Sequence, residues 1–347
     1  MPRRLLLGRF LLVALAAAVI VFLLIGGYLL LSRPAEVYPS IHPVEVAGGT
    51  YRDIGLRFRF EGVPRAISVP VNGTVYYGAR GANKEALLTR DIPDSIFIPA
   101  YYLAFLSDPN QDEFFRDLAG AFRGLREGGS LSDDEYLEMM AVAIQTLPYE
   151  TSGTLTAPKF PIETYTDGSG DCDDKSLLLA GLLAREGYSV ALFYFKPESH
   201  MAVGIRGYRC DYRDTGYGYV AVTNVSLVGV PEARLTGGVN LTSDPLVIPV
   251  ANGTLLYGGC QETQSIEKAL ERTEERAGSL SADLASLSAR MNDLRSRGRF
   301  AEYNQLVPQY EALVAEYNGN ALAHNYILDH QDDRKGTYAW LSARALV

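Results

Sequence analysis

The sequence predicts an α+β chain, and three observations carry that reading. Helical signals run from Asp108 to Glu186, three apolar β-rich runs follow at Ser189–Phe195, Met201–Ile205 and Tyr217–Thr223, and a heptad-patterned stretch fills the last 85 residues. Helices followed by strands, rather than strict alternation, is the α+β order. With 347 residues, 47% hydrophobic and 21% charged, the chain can bury a core and is too apolar for a disordered protein. The formal charge is −9, and Arg3, Arg4, Arg9 and Arg33 are the only charges in residues 1–33, so the remainder stands at −13. A body that acidic repels phosphate backbones, which argues against nucleic acid as a partner. Three cysteines without C-x-x-C spacing exclude a zinc ribbon and a disulfide-framework miniprotein.

Phe10 to Leu31 carries no charge. Its twenty-two residues would span about 33 Å as a helix, enough for a bilayer core of about 30 Å. Three arginines precede it, so the expectation for residues 1–33 is a cytoplasmic stub and a single transmembrane anchor spanning residues 10–31, with the bulk of the chain extracytoplasmic at the cell membrane. A cleaved signal peptide is the rival, but its apolar region is shorter. Four Asn-x-Ser/Thr sequons, at Asn72, Asn224, Asn240 and Asn252, are compatible with a glycosylated exterior chain. The same setting permits a Cys210–Cys260 bridge, the alternative being two small buried residues.

Residues 34–105 read as a small β-rich module. Ile54, Leu56, Phe58 and Phe60 alternate with polar or small residues, the period of a half-buried strand, and Asn72-Gly73 predicts a turn between Ile67–Val71 and Thr74–Tyr77. Ile96 to Leu106 is apolar and aromatic without a clear period. From residue 106 to 262 a second unit begins. Phe114, Phe115, Leu118, Phe122 and Leu125 mark one helix face; Ser132 with Glu135 forms a capping box ahead of the next helix; and Asp173 to Glu186 is a helix that stops at Gly187. The three β-rich runs after it look like successive antiparallel strands.

Residues 263–347 are a helical hairpin and tail. Ile266, Thr273, Leu280, Leu287 and Leu294 repeat every seven, and Leu270, Ala277, Leu284 and Met291 fill a second seam. A reversal around Gly298 leads into a second arm with Tyr303, Tyr310, Tyr317 and His324 in one register, Leu306 and Leu313 in another, and Pro308 expected to bend it. Residues 263–328 are a candidate for self-association. His324 and His330 near three aspartates have no fixed ligand spacing and read as a solvated helix end, so no metal is expected.

Gly168-Ser-Gly-Asp-Cys172 places Cys172 at the first turn of the Asp173–Glu186 helix, where free N–H groups favour thiolate. His200 opens a predicted strand 28 residues later. A cysteine backed by histidine is the design of a thiol nucleophile for acyl transfer. Asp171, Asp173 and Asp174 surround the cysteine and oppose its ionisation, and a buried structural thiol is the plainer reading of an isolated cysteine.

Phe160-Pro-Ile-Glu-Thr164, Gly168-Ser-Gly-Asp-Cys-Asp-Asp-Lys175, Arg185-Glu-Gly-Tyr188, Ala191-Leu-Phe-Tyr-Phe195 and His200-Met-Ala-Val-Gly204 together resemble the transglutaminase-like superfamily. The similarity covers roughly residues 106–235 and is nearest to membrane-anchored archaeal and bacterial members with a coiled-coil tail. It implies a papain-like core, a helix-borne cysteine packed on an antiparallel sheet that carries histidine and then an acid. It implies amide chemistry, either acyl transfer or hydrolysis of peptides and proteins, with Cys172 as nucleophile and His200 as general base and then acid, and no cofactor or calcium. Gly170 and the backbone of Cys172 would form the oxyanion site. The third position departs from the family: Tyr219-Val-Ala-Val-Thr223 puts Thr223 where the acid belongs. Asn224 points to the opposite face of a regular strand, and Asp211 and Asp214 are candidates that also read as exposed turn residues. Three expectations follow: a thiol enzyme, a catalytically impaired module that binds peptide or glycan in the old cleft, or a hairpin spacer with a globular passenger.

Overall fold

The computed structural model describes residues 19–22, 37–46, 50–88, 91–151, 157–232, 235 and 238–347. Its described part is α+β, with nine helices and two small antiparallel sheets. The expected membrane-crossing helix is corrected. Among the described residues no helix is long and apolar enough to cross a membrane. Val19–Phe22 form a single helical turn, which rises about 6 Å, and positions 10–18 and 23–31 of the expected span lie outside the described residues.

Strands β1 (Tyr51–Phe60) and β2 (Val63–Asn72) pair antiparallel, Tyr51 opposite Asn72 and Phe60 opposite Val63. Glu61 and Gly62 both have positive φ, +52° and +71°, the backbone a two-residue hairpin turn needs. Leu56, Phe58, Phe60, Ile67, Val69 and Val71 alternate inward and are buried. The turn expected at Asn72-Gly73 is instead a helix start. Asn72 Oδ1 accepts from the Thr74 amide at 3.0 Å and opens α1 (Gly73–Gly81), so the predicted strand Thr74–Tyr77 is helical. The aperiodic stretch Ile96–Leu106 falls in α2 (Asp94–Ser107), a helix apolar on all sides, which is why it shows no face.

Helix α3 (Asp112–Gly129) turns Phe114, Phe115, Leu118 and Phe122 inward. Helix α4 (Asp133–Gln145) starts in the Ser132/Glu135 capping box and is buried along nearly its whole surface. Helices α5 (Pro161–Asp167) and α6 (Cys172–Arg185) follow, and α6 packs on a four-stranded sheet of order β5-β4-β3-β6: β3 (Ser189–Phe195), β4 (His200–Ile205), β5 (Gly218–Val220) and β6 (Leu246–Asn252). One contiguous core runs from Ile41 and the β1–β2 hairpin through α3, α4 and α6 to the sheet.

Helices α7 (Cys260–Ser296) and α8 (Phe300–Asp329) form an antiparallel hairpin that reverses at Arg297–Arg299, with Gly298 at φ +73°. Ile266, Thr273, Leu280, Leu287, Met291 and Leu294 are buried, while Leu270, Ala277, Leu284, Tyr303, Tyr310 and Tyr317 are half-buried. Pro308 lies within α8 without ending it. The chain then returns through α9 (Arg334–Ser342) to the globular part. Arg334 Nε meets the buried Glu138 carboxylate at 2.5 Å, Tyr257 donates to the same oxygen, Lys335 pairs with Glu135 at 2.6 Å, and Asp332 accepts from the Gly62 amide at 3.2 Å. The base of the hairpin is therefore fastened to α4 and to the β1–β2 turn.

Candidate active site

Cys172 is the first residue of α6. Asp171 caps that helix by accepting from the Asp174 amide at 3.3 Å, and Asp174 returns the bond to the Asp171 amide at 3.3 Å. Asp174 also accepts from the Lys159 amide at 2.6 Å. Gly170, expected as an oxyanion donor, spends its N–H on the Pro148 carbonyl at 3.2 Å, and its own carbonyl accepts from the Glu150 amide at 3.1 Å. That bridge lays Tyr149 alongside Cys172. A Cβ on Gly170 would come within 2.7 Å of the Asp174 side chain, so the close approach requires glycine. Of the two expected oxyanion donors, the Cys172 N–H is left, a first-turn amide without an intrahelical acceptor.

Cys172 is 8% exposed, and its sulfur sits against the residues on either side of His200. It donates to the Ser199 carbonyl at 4.0 Å, while the Met201 N–H and the Tyr149 hydroxyl favour its thiolate. Burial, then the charges of Asp173 and Asp171, push the thiol up to about 12, more than the Met201 and Tyr149 bonds pull it down. At neutral pH the resting sulfur is therefore a thiol. Asp173 is itself held well above the ordinary carboxylate range by burial and by its hydrogen bond to Asp171, and burial with the Asp171 charge raises Asp174 to about 7. The oxygens of these three aspartates lie within 4.8 Å of one another, but two of them are engaged in the helix cap.

His200 opens β4 opposite Phe195 and is 4% exposed. Its Nε2 lies 3.1 Å from Glu232 Oε2 and 3.2 Å from the Tyr219 hydroxyl, which donates to the same Glu232 oxygen at 3.1 Å. The acid beside the imidazole is thus Glu232, and among the described residues none of the expected third positions hydrogen-bonds to His200. Thr223 is buried and Asn224 exposed beyond the end of β5, which stops at Val220. Asp211 and Asp214 are exposed residues of the turn before β5, where Asp211 accepts from the Gly216 amide at 2.9 Å and Asp214 has φ +58°. Instead of continuing as a strand, the chain loops back beside β5, the Gly229 amide donating to the Tyr219 carbonyl at 2.8 Å, and this brings Glu232 over His200. A signal was available: between His200 and Asp244 the sequence holds only three acids, Asp211, Asp214 and Glu232, and the first two sit in a turn-rich stretch.

Two further buried polar residues frame the site. Lys175, one turn along α6 from Cys172, donates to the Gln145 and Leu147 carbonyls at 3.0 and 2.9 Å, and burial lowers it to about 8 against the pull of the Glu232 charge. The Gln145 side chain donates to the Ala221 and Ser226 carbonyls at 2.8 and 3.1 Å and so fixes the start of the loop that carries Glu232. Cys210 and Cys260 form a disulfide, with Cα atoms 5.5 Å apart, leaving Cys172 as the free thiol. Of the sequon asparagines, Asn224, Asn240 and Asn252 are exposed, whereas Asn72 is half-buried and caps α1. His330 Nδ1–H donates to the Tyr326 carbonyl at 2.7 Å, and the imidazole stacks on the Tyr326 ring.

Comparison of the chain with family models, with curated proteins and with solved structures finds no match in any of the three.

Proposed function

We propose that the chain is a transglutaminase-like thiol enzyme that transfers or hydrolyses the acyl group of peptide and protein amides. The observation that carries this is the Glu232–His200 pair at 3.1 Å, with the Cys172 sulfur against the Ser199 carbonyl immediately before His200. A carboxylate that accepts the imidazole N–H fixes its tautomer and leaves the other ring nitrogen as a base. In the first half-reaction the thiol attacks the amide carbon while His200 removes the sulfur's proton and hands it to the departing amine. An acyl thioester remains on Cys172. Water or a second amine then attacks, with His200 again taking its proton, and the thiol is restored. The Cys172 N–H is the donor available to the developing oxyanion. The disulfide supports an oxidising, extracytoplasmic setting.

A second reading is favoured by the thiol itself, buried and held protonated: a domain that binds a peptide without cleaving it. The two separate when the full chain is incubated with a peptide amide with and without a primary amine. The enzyme reading expects a carboxylic acid product or a new amide, both lost in Cys172→Ala. Unaltered peptide, bound equally by wild type and Cys172→Ala, selects the binding module.

A further inference from the structure

We propose that Thr263 and the Cys210–Cys260 disulfide are positioning groups for the Glu232–His200 pair, so that the first turn of the helical hairpin and its oxidation state govern how the acid is held. This rests on Glu232 being the orienting acid. Tyr219 and the loop from Val228 to Glu232 are what present the carboxylate to His200, and both lean on the start of α7. Thr263, buried in the first turn of α7, donates its hydroxyl to the Val228 carbonyl at 2.9 Å. The next residue, Gly229, donates to the Tyr219 carbonyl at 2.8 Å, and Glu232 follows three residues later.

The disulfide fills the space between these two segments. A Cβ on Gly218, adjacent to Tyr219, would lie 2.8 Å from Cys210 Cβ and 3.5 Å from Cys260 Sγ; one on Gly229 would lie 3.4 Å from Cys260 Sγ and 3.5 Å from the Thr263 methyl. Both strand and loop therefore touch the sulfur bridge through glycines, with no side chain between. Opening the bridge frees α7's first residue from Cys210, in the turn that leads into β5, and leaves the Thr263 bond and the packing of Leu227 and Val230 on Ile266 as the hairpin's hold on the loop. A dithiol reductant does this by exchange: the disulfide gains two electrons and two protons to become the thiols of Cys210 and Cys260, and the dithiol leaves as its cyclic disulfide. Because Glu232 orients an imidazole rather than touching substrate, loosening it lowers the rate of chemistry while leaving peptide binding in place.

The test uses the full chain labelled with 15N in its four histidines, observing the low-field proton of the buried His200 Nε2–H, identified by its loss in His200→Ala. The resonance is expected in wild type, lost in Glu232→Leu, lost in Thr263→Val, kept in Thr263→Ser, and lost when dithiothreitol reduces the wild type while the far-UV circular dichroism stays constant. Loss in Glu232→Leu but full retention in both Thr263→Val and the reduced chain overturns the positioning role and leaves the acid's assignment standing. Retention in Glu232→Leu overturns the assignment itself. Should Thr263→Val fail to fold, the reduced wild type decides; unfolding of both overturns the proposal, since the groups would then hold the fold rather than the acid.

Discussion

The resting state of Cys172 gives the sharpest quantitative prediction. With Cys210 and Cys260 bridged, iodoacetamide reports on Cys172 alone in the unmodified chain. Burial and the neighbouring aspartates raise the thiol from 9.0 to about 12, which corresponds to about 4 kcal/mol against ionisation and about a thousandfold less thiolate at any pH below 9. The thiolate is the form that alkylates. The folded chain should therefore react about a thousandfold more slowly at neutral pH than the same chain unfolded in urea, and its rate should climb about tenfold per pH unit without levelling through pH 9. A plateau below pH 9 in the folded chain would show that burial does not hold the thiol protonated. For catalysis the consequence is that the sulfur's proton leaves during attack, with His200 as base, rather than beforehand.

Three further outcomes follow from the same contacts. Glu232→Gln keeps the side chain's size but removes its charge, and peptide turnover by the full chain should fall about 10²–10⁴-fold with folding and Cys172 alkylation in urea unchanged; undiminished turnover would remove Glu232 from the mechanism. Arg334→Met strands the buried Glu138 carboxylate and should cost about 3–5 kcal/mol in urea unfolding, much of it recovered when Glu138→Leu is added; equal stability of single and double variants would contradict a buried pair. Although burial pushes Glu135 upward, Lys335 and the Ser132 side chain and amide outweigh it and hold the carboxylate at about 2. A folded value below the unfolded one stabilises the protein above about pH 4.5 and is lost as pH falls toward 2, about 3 kcal/mol at most before solvent screening of the exposed Lys335. Glu135→Gln should flatten the stability curve in that window, and an unchanged curve would refute it.

What the sequence discloses here depends on how local the cause is. Cys172 at a helix start follows from Asp171 capping, and His200 at a strand start from the apolar run behind it; both causes lie within a few residues. The heptad seam is legible because Ile266, Thr273, Leu280, Leu287 and Leu294 repeat on one face of α7, and all five are buried. Asn72-Gly73 is ambiguous for a physical reason, since asparagine serves a tight turn and a helix cap equally well, and the packing of Gly78 against the His42 carbonyl, where a Cβ would sit at 2.4 Å, decides for the helix. Glu232 escapes a pattern-based reading because the strand ends at Val220 and the loop's path is set by Gln145, Thr263 and the disulfide, residues 22 to 87 positions away from it along the chain. Lys175 bonding the Gln145 and Leu147 carbonyls at the end of α4 and just beyond it, and Arg334 reaching Glu138, are likewise pairings that only the folded chain brings together.

The most direct test of the central claim is intact-mass spectrometry of the full chain after brief exposure to a peptide thioester, followed by digestion to locate the modification. One acyl group is expected on Cys172, formed by wild type, slowed in His200→Ala and Glu232→Gln, absent in Cys172→Ala, and discharged by water or a primary amine. An acyl group that persists in Cys172→Ala, or that forms on Cys172 at the same rate with and without His200, would contradict the claim.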